Sequence, residues 1–147
     1  MLNLDWAKES KESSPDETFA AREGTARIAR ALYRGDVIPG WSFGRGDCQI
    51  TWGGQAVSVF GPGRVQILEG CSINSLIWIP WKDKLPQNAF RVGRTYDGED
   101  VFLGRSCIRG RVLFGRFQES YGTLLISVGG TELVRSIGFE ILAEKLS

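Results

Sequence analysis

The chain has 147 residues, 42% of them hydrophobic, which suits one compact domain or two small units sharing a core and excludes a disordered chain. Its 18 basic and 17 acidic residues are spread evenly for a net charge of +1, so no basic block is present to attract nucleic acid. With no histidine there is no Ser-His-Asp or Cys-His nucleophile, no imidazole base and no histidine-based metal site.

In chain order, the polar start MLNLDWAKESKESS lacks the apolar stretch of a secretory signal. A cytoplasmic location is expected, with unconventional export left open. Next, DETFAAREGTARIARALYR is alanine-rich, so a short helix competes there with a strand. YRGDVIPGW follows, an Arg-Gly turn with Asp36 behind it and Trp41 at its end. CQITW then alternates, with Cys48, Ile50 and Trp52 on one face and Gln49 and Thr51 on the other, the pattern of a half-buried strand. Gly53-Gly54 suits a two-residue hairpin turn, which needs positive φ, and QAVSV reads as the returning strand. VQILEG closes this first unit. SINSLIWIPW is a strand leading onward; it holds the longest apolar run, far short of the roughly 18 residues of a membrane span. WIPWKDK reads as a linker packing on its partner, with a binding lip as the alternative.

From there the landmarks return at near-constant separation. Trp6 meets Trp78, Pro15 and Phe19 meet Pro86 and Phe90, Arg30 meets Arg105, and Gly40 meets Gly115. Gly53-Gly54 meets Gly129-Gly130, and VQIL meets FEIL. LLISV repeats the alternation with Leu124, Ile126 and Val128. Between Phe19 and Arg30 the first copy is shorter, so the turn at Asp97-Gly98 is trimmed there. The second-copy partner of the alanine-rich segment carries glycines and an Asp-Gly, so strand is the reading for both. The expected fold is all-β: two tandem, pseudo-twofold-related antiparallel repeats forming one compact unit, residues 1–72 and 73–147. Trp6, Trp78, Phe19, Phe90 and Phe139 are expected in its core.

Cys48, Cys71 and Cys107 are too scattered for a disulfide framework or a zinc site and are expected as buried thiols. The tripeptides Arg34-Gly35-Asp36 and Arg45-Gly46-Asp47 have the form of adhesion motifs, but the repeat frame accounts for the Arg-Gly of the first. FGPGR and SFGRG lack the Lys-Ser/Thr of a phosphate loop and read as loops. RSCIRGRVLFGR, with four arginines, reads as a solvated face. No pair of carboxylates is singled out for glycosidase chemistry, so an enzyme is not expected.

The ordered landmarks LPQNAFRVG, VFLGR, RGDVIPG, ISVGG and FEIL resemble the DM9 repeat family, in two copies covering nearly the whole chain. The resemblance implies an all-β tandem repeat, a homodimer, and mannose-type glycan recognition of the innate-immunity kind, without calcium, metal or cofactor. It also implies a site built from a turn acid, an acid just after the hairpin glycine, and the lysine of a Pro-Gly-Lys. In the first copy the hairpin acid is Asp36 and the lysine position is Trp41; only Glu23 lies near the shortened turn. In the second copy Thr95 stands at the turn-acid position with Asp97 just beyond, and Arg111 and Arg116 take the hairpin-acid and lysine positions. The expected ligand sites are therefore Asp36 with Trp41, and Asp97 with Arg111 and Arg116. Carboxylates would accept from vicinal hydroxyls, and Trp41 would stack on a sugar ring. The two arginines together would also suit an anion. The alternative is a non-catalytic interaction and assembly module whose sugar sites have degenerated.

Overall fold

A computed structural model describes residues 6–8, 26–68 and 75–145; for residues 6–8 it describes the backbone alone. All thirteen strands join one antiparallel sheet. The first half contributes β1 (Trp6–Lys8), β2 (Arg27–Tyr33), β3 (Asp36–Ser42), β4 (Asp47–Trp52), β5 (Gln55–Phe60) and β6 (Val65–Leu68). The second contributes β7 (Leu76–Pro80), β8 (Arg91–Arg94), β9 (Asp100–Ile108), β10 (Arg111–Gln118), β11 (Thr123–Val128), β12 (Thr131–Arg135) and β13 (Glu140–Glu144). The protein is all-β. RIARALY, where a helix competed, is β2. No helix among the described residues is long and apolar enough to cross a membrane.

Four two-residue hairpins organise the sheet, and each turn has positive φ at both positions. Arg34-Gly35 (51° and 84°) joins β2 to β3, and Arg109-Gly110 (51° and 81°) joins β9 to β10. Gly53-Gly54 (61° and 81°) and Gly129-Gly130 (56° and 83°) close β4–β5 and β11–β12. These are the primed turns whose twist matches that of the flanking strands. The remaining pairings also correspond. β1 runs along β6 with Trp6 opposite Leu68, and β7 runs along β13 with Trp78 opposite Leu142. β6 lies on β2, and β13 lies on β9. The halves meet where β3 pairs with β8 through Val37 and Arg94.

Two glycines let backbones cross at the heart of each half. A Cβ added at Gly40 would lie 2.0 Å from the Gln49 carbonyl oxygen, and one at Gly115 would lie 2.1 Å from that of Leu125. No other residue fits there.

The core forms two clusters. Ile28, Trp41, Leu103, Phe114, Phe117, Ile126 and Phe139 belong to the larger, against which Trp78, Trp81 and Phe90 pack. Trp81 stacks on Phe139 (5.7 Å between ring centres, 12° between planes), so WIPWKDK packs on aromatic residues of its own half. Ile38, Cys48, Ile50, Val59 and Ile67 build the smaller cluster. Phe19, Cys71 and the Trp6 side chain lie outside the described residues. Three expectations need correction. Cys107 is exposed, because alternation along β9 buries Ser106 and Ile108 on either side of it. The four arginines of RSCIRGRVLFGR are not one solvated face, since Arg116 is buried. Trp41 is a core residue rather than an exposed platform.

Candidate functional site

The β2–β3 hairpin of the first half and the β8–β9 turn of the second come together around Asp36. This carboxylate is only 7% exposed. Its Oδ1 accepts from the Tyr96 backbone N–H at 2.8 Å, and its Oδ2 accepts from Trp52 Nε1 at 3.1 Å. Trp52 meets Tyr33 edge-on at 5.6 Å, and the Arg34 guanidinium lies 5.0 Å from the Trp52 ring centre and 5.5 Å from that of Tyr33. In the turn, the Thr95 hydroxyl accepts from the Glu99 N–H at 2.9 Å and donates to the exposed Asp97 carboxylate.

Glu99 carries the network inward. It accepts from Gln118 Nε2 and the Ser120 hydroxyl at 2.9 Å each, and from the Ser120 N–H at 3.1 Å. Burial alone would raise its pKa, but these bonds from Ser120 and Gln118 outweigh both burial and repulsion from Asp97, and hold it below the usual range. Gln118 in turn accepts from Arg116 Nη2, and Arg116 Nη1 donates to the Thr51 carbonyl at 2.9 Å. Arg116 is 6% exposed. Desolvation lowers its pKa, opposed by Tyr121, Asp36, Glu132 and Glu99, which favour the cation. Arg116 lines a cleft of about 610 Å³ together with Gly53, Gly54, Tyr121, Leu125 and Glu132. Hydroxyls, a carboxylate, a fixed cation and an aromatic ring thus face one concavity.

The structure regroups the residues expected to form the sites. Asp36 and Trp41 stand near opposite ends of β3, about 17 Å apart at ~3.4 Å per residue, and Arg111 and Arg116 are as far apart on β10. Neither pair shares a site. Asp36, the turn bearing Asp97, and Arg116 come together instead, with residues from both halves. Trp41 pairs with Arg111, whose guanidinium lies 5.8 Å from the indole centre. Trp41 is 4% exposed, its Nε1 donates to the Ser127 carbonyl at 2.8 Å, and it meets Phe43 edge-on at 4.6 Å. It offers no face for a sugar to stack on. Trp41 and Arg116 nevertheless act alike, each sending a side-chain N–H to a strand carbonyl of the other half.

Both Arg-Gly-Asp aspartates are withdrawn from the surface, which removes the adhesion reading. Asp36 is held as described. Asp47, 2% exposed, accepts from the Ser42 hydroxyl (2.9 Å), the Phe43 and Arg45 N–H groups (3.0 and 3.1 Å) and Gln49 Nε2 (3.0 Å). Burial pushes its pKa up, and these bonds from Gln49, Phe43, Arg45 and Ser42 overcome it to hold the pKa below the usual carboxylate value. Sequence reasoning missed Trp52, Tyr96, Glu99, Gln118, Tyr121 and Glu132. The one available signal was their position, since most sit beside a turn.

Residues 21–135 match the DM9 repeat family. The crystal structure of the nematode sperm cell motility protein MFP2B has the same fold, with a TM-score of 0.69 at 20% identity. The likeness covers 100% of this chain and 46% of that one, so the chain spans under half the length of its structural relative. No curated protein matches the chain. The chain belongs to the DM9 repeat family.

Proposed function

We propose that this DM9-repeat protein is a non-catalytic carbohydrate-binding recognition protein, holding a mannose-type glycan without calcium in the cleft beside Arg116. The observation that carries this reading is a buried guanidinium fixed by Thr51 and Gln118, with Asp36, Glu99 and Glu132 around it, at the wall of a 610 Å³ cleft. A polyol needs acceptors and donors converging on vicinal hydroxyls and an apolar surface for its C–H face. Glu132 and the Ser120 hydroxyl supply the first need, and Tyr121 with Leu125 supplies the second. Arg116 provides a resident cation. We read the chain as two tandem copies, 1–72 and 73–147, working as a cytoplasmic homodimer; the matched hairpins and registers support the duplication.

Calorimetric titration with methyl α-mannoside tests the reading. Saturable uptake, unchanged by a chelator and lost in Tyr121→Ala and Glu132→Gln chains that melt normally, is expected. A glycan array on which no neutral sugar is retained would overturn it.

A second reading is an assembly module with degenerate sugar sites. Trp41 filling the position that corresponds to Arg116 favours it, as does the likeness in fold to a motility protein. Light scattering that finds assemblies larger than a dimer, together with a blank array, would select this reading.

A further inference from the structure

A second concave surface runs along β2, β3, β6 and β8, away from the Arg116 cleft. One stretch of about 260 Å³ is lined by Arg30, Gln66, Arg91 and Arg94 among others. The adjoining stretch, about 230 Å³, shares Arg30, Val37 and Gln66 and adds Arg64. Arg30 is fixed where the two meet, with Nε donating to Gln66 Oε1 at 2.8 Å and Nη1 to the Val92 carbonyl at 3.0 Å. Burial lowers its pKa to about 10, which leaves it cationic at neutral pH. Arg64, Arg91 and Arg94 are exposed. Arg91 meets Asp100 at 3.4 Å; among the described residues no carboxylate stands within ion-pair distance of Arg64 or Arg94.

The other half supplies an internal comparison. There a pocket is lined by Arg105, Val112, Gly138 and Glu140, at the positions corresponding to Arg30, Val37, Arg64 and Gln66. Arg105 Nε donates to Glu140 at 2.7 Å, so that pocket closes its own charge. In the first half a neutral Gln66 replaces the acid and Arg64 replaces a glycine. The lining of the first half's groove is therefore richer in arginine, and poorer in carboxylate, than that of its counterpart.

We infer that the groove formed by Arg30, Arg64 and Arg94 binds a polyol or short oligosaccharide bearing phosphate or sulfate monoesters. Guanidinium forks match tetrahedral oxyanions with paired N–H donors, and several along one groove suit a ligand with several such groups. The lining contains no aromatic ring among the described residues. It therefore offers nucleobases no stacking surface and the C–H face of a neutral sugar no cover. Its lining carboxylates are likewise absent among those residues, which leaves charge and hydrogen bonding to oxyanions as the recognition chemistry.

Calorimetry with two probes, inositol hexakisphosphate and fully sulfated heparin hexasaccharide, tests this, with the desulfated hexasaccharide as blank. Binding of either anion, weakening as salt is raised, is expected, and which of them binds identifies phosphate or sulfate as the source. The R64S/R94S chain loses on the order of tenfold or more in affinity, from two charge-assisted contacts. K82S/K84S removes the same charge from exposed lysines elsewhere and leaves affinity unchanged. Coincident melting curves confirm that both variants fold. Failure of both anions to bind, equal binding of the desulfated sugar, or equal losses in the two variants would overturn the inference. Tyr121→Ala leaves this binding intact, so its failure and that of the glycan reading are separable.

Discussion

Replacing Gly115 by alanine adds one carbon where β10 and β11 approach most closely. That Cβ would lie 2.1 Å from the Leu125 carbonyl oxygen and 2.9 Å from Ile126 Cγ1. A carbon and a carbonyl oxygen approach to about 3.3 Å at closest in ordinary packing, so the oxygen must retreat by roughly 1.2 Å. It belongs to the backbone of β11, paired to β10 at Arg116 and Leu125, and has no rotamer through which to yield. Overpacking of this kind costs about 3 kcal/mol, which in a chain this size lowers the melting temperature by roughly 6–12 °C. Gly40→Ala, facing Gln49 at 2.0 Å, behaves alike. Gly104→Ala falls between, because the atom it meets is the movable Leu124 Cδ1 at 2.5 Å. Gly63→Ala meets nothing within 4 Å and lies outside the left-handed region, so it is neutral or stabilising by about 0.5 kcal/mol. Melting of the four variants by circular dichroism orders them, and a Gly115→Ala chain that melts with Gly63→Ala would refute the steric argument.

Asp47 and Trp41 give two further tests. Because the Asp47 pKa is depressed on folding, its ionised form contributes stability that is present above the unfolded value of 3.8 and lost as pH falls through the folded one. Asp47→Asn therefore costs about 2 kcal/mol at neutral pH, and urea unfolding shows the gap to the native chain narrowing below that value. An equal gap at both pH values would show that the charge is irrelevant. Trp41→Phe removes the donor to Ser127 and costs about 1–2 kcal/mol in the same assay. Under the proposed glycan reading it leaves affinity unchanged in calorimetry, since Trp41 does not line the cleft.

Most of the fold was legible because β structure writes itself in local signals. The Gly-Gly turns and the Arg-Gly steps appear where expected, and the alternation holds for Cys48 with Ile50 and Leu124 with Ile126 but ends at Thr51 and Ser127, which are buried where the half-buried pattern expects exposure. Recurrence added what no single segment showed. RIARALY has helical propensity, and its glycine-bearing partner in the second half identified it as a strand. What could not be read were the crossings between halves, because they depend on which backbone meets which. Burial of Arg116 and exposure of Cys107 follow from those crossings and from strand alternation, not from composition.

Of the residues expected to form the sites, only Arg116 lines the cleft, and the expected grouping does not survive folding. Asp36 and Trp41 are neighbours in sequence, yet an extended strand carries them to opposite ends. Pairing of β3 with β8, where a Cβ at Gly93 would lie 2.1 Å from the Val37 carbonyl oxygen, brings the halves together, and side chains then bond across them: Asp36 to Tyr96, Arg116 to Thr51, Trp41 to Ser127. Substitutions must therefore be weighed across the halves. Asp36 lies close enough to Arg116 to favour its charged form, so an acid accompanies this cation. Arg111 with Trp41 has no acid, and a lysine in place of Trp41 would set two cations together. An indole accepts the guanidinium through its ring face instead. Trp41 and Arg111 are thus a compatible pair, and each substitution is understood only with its partner from the other half.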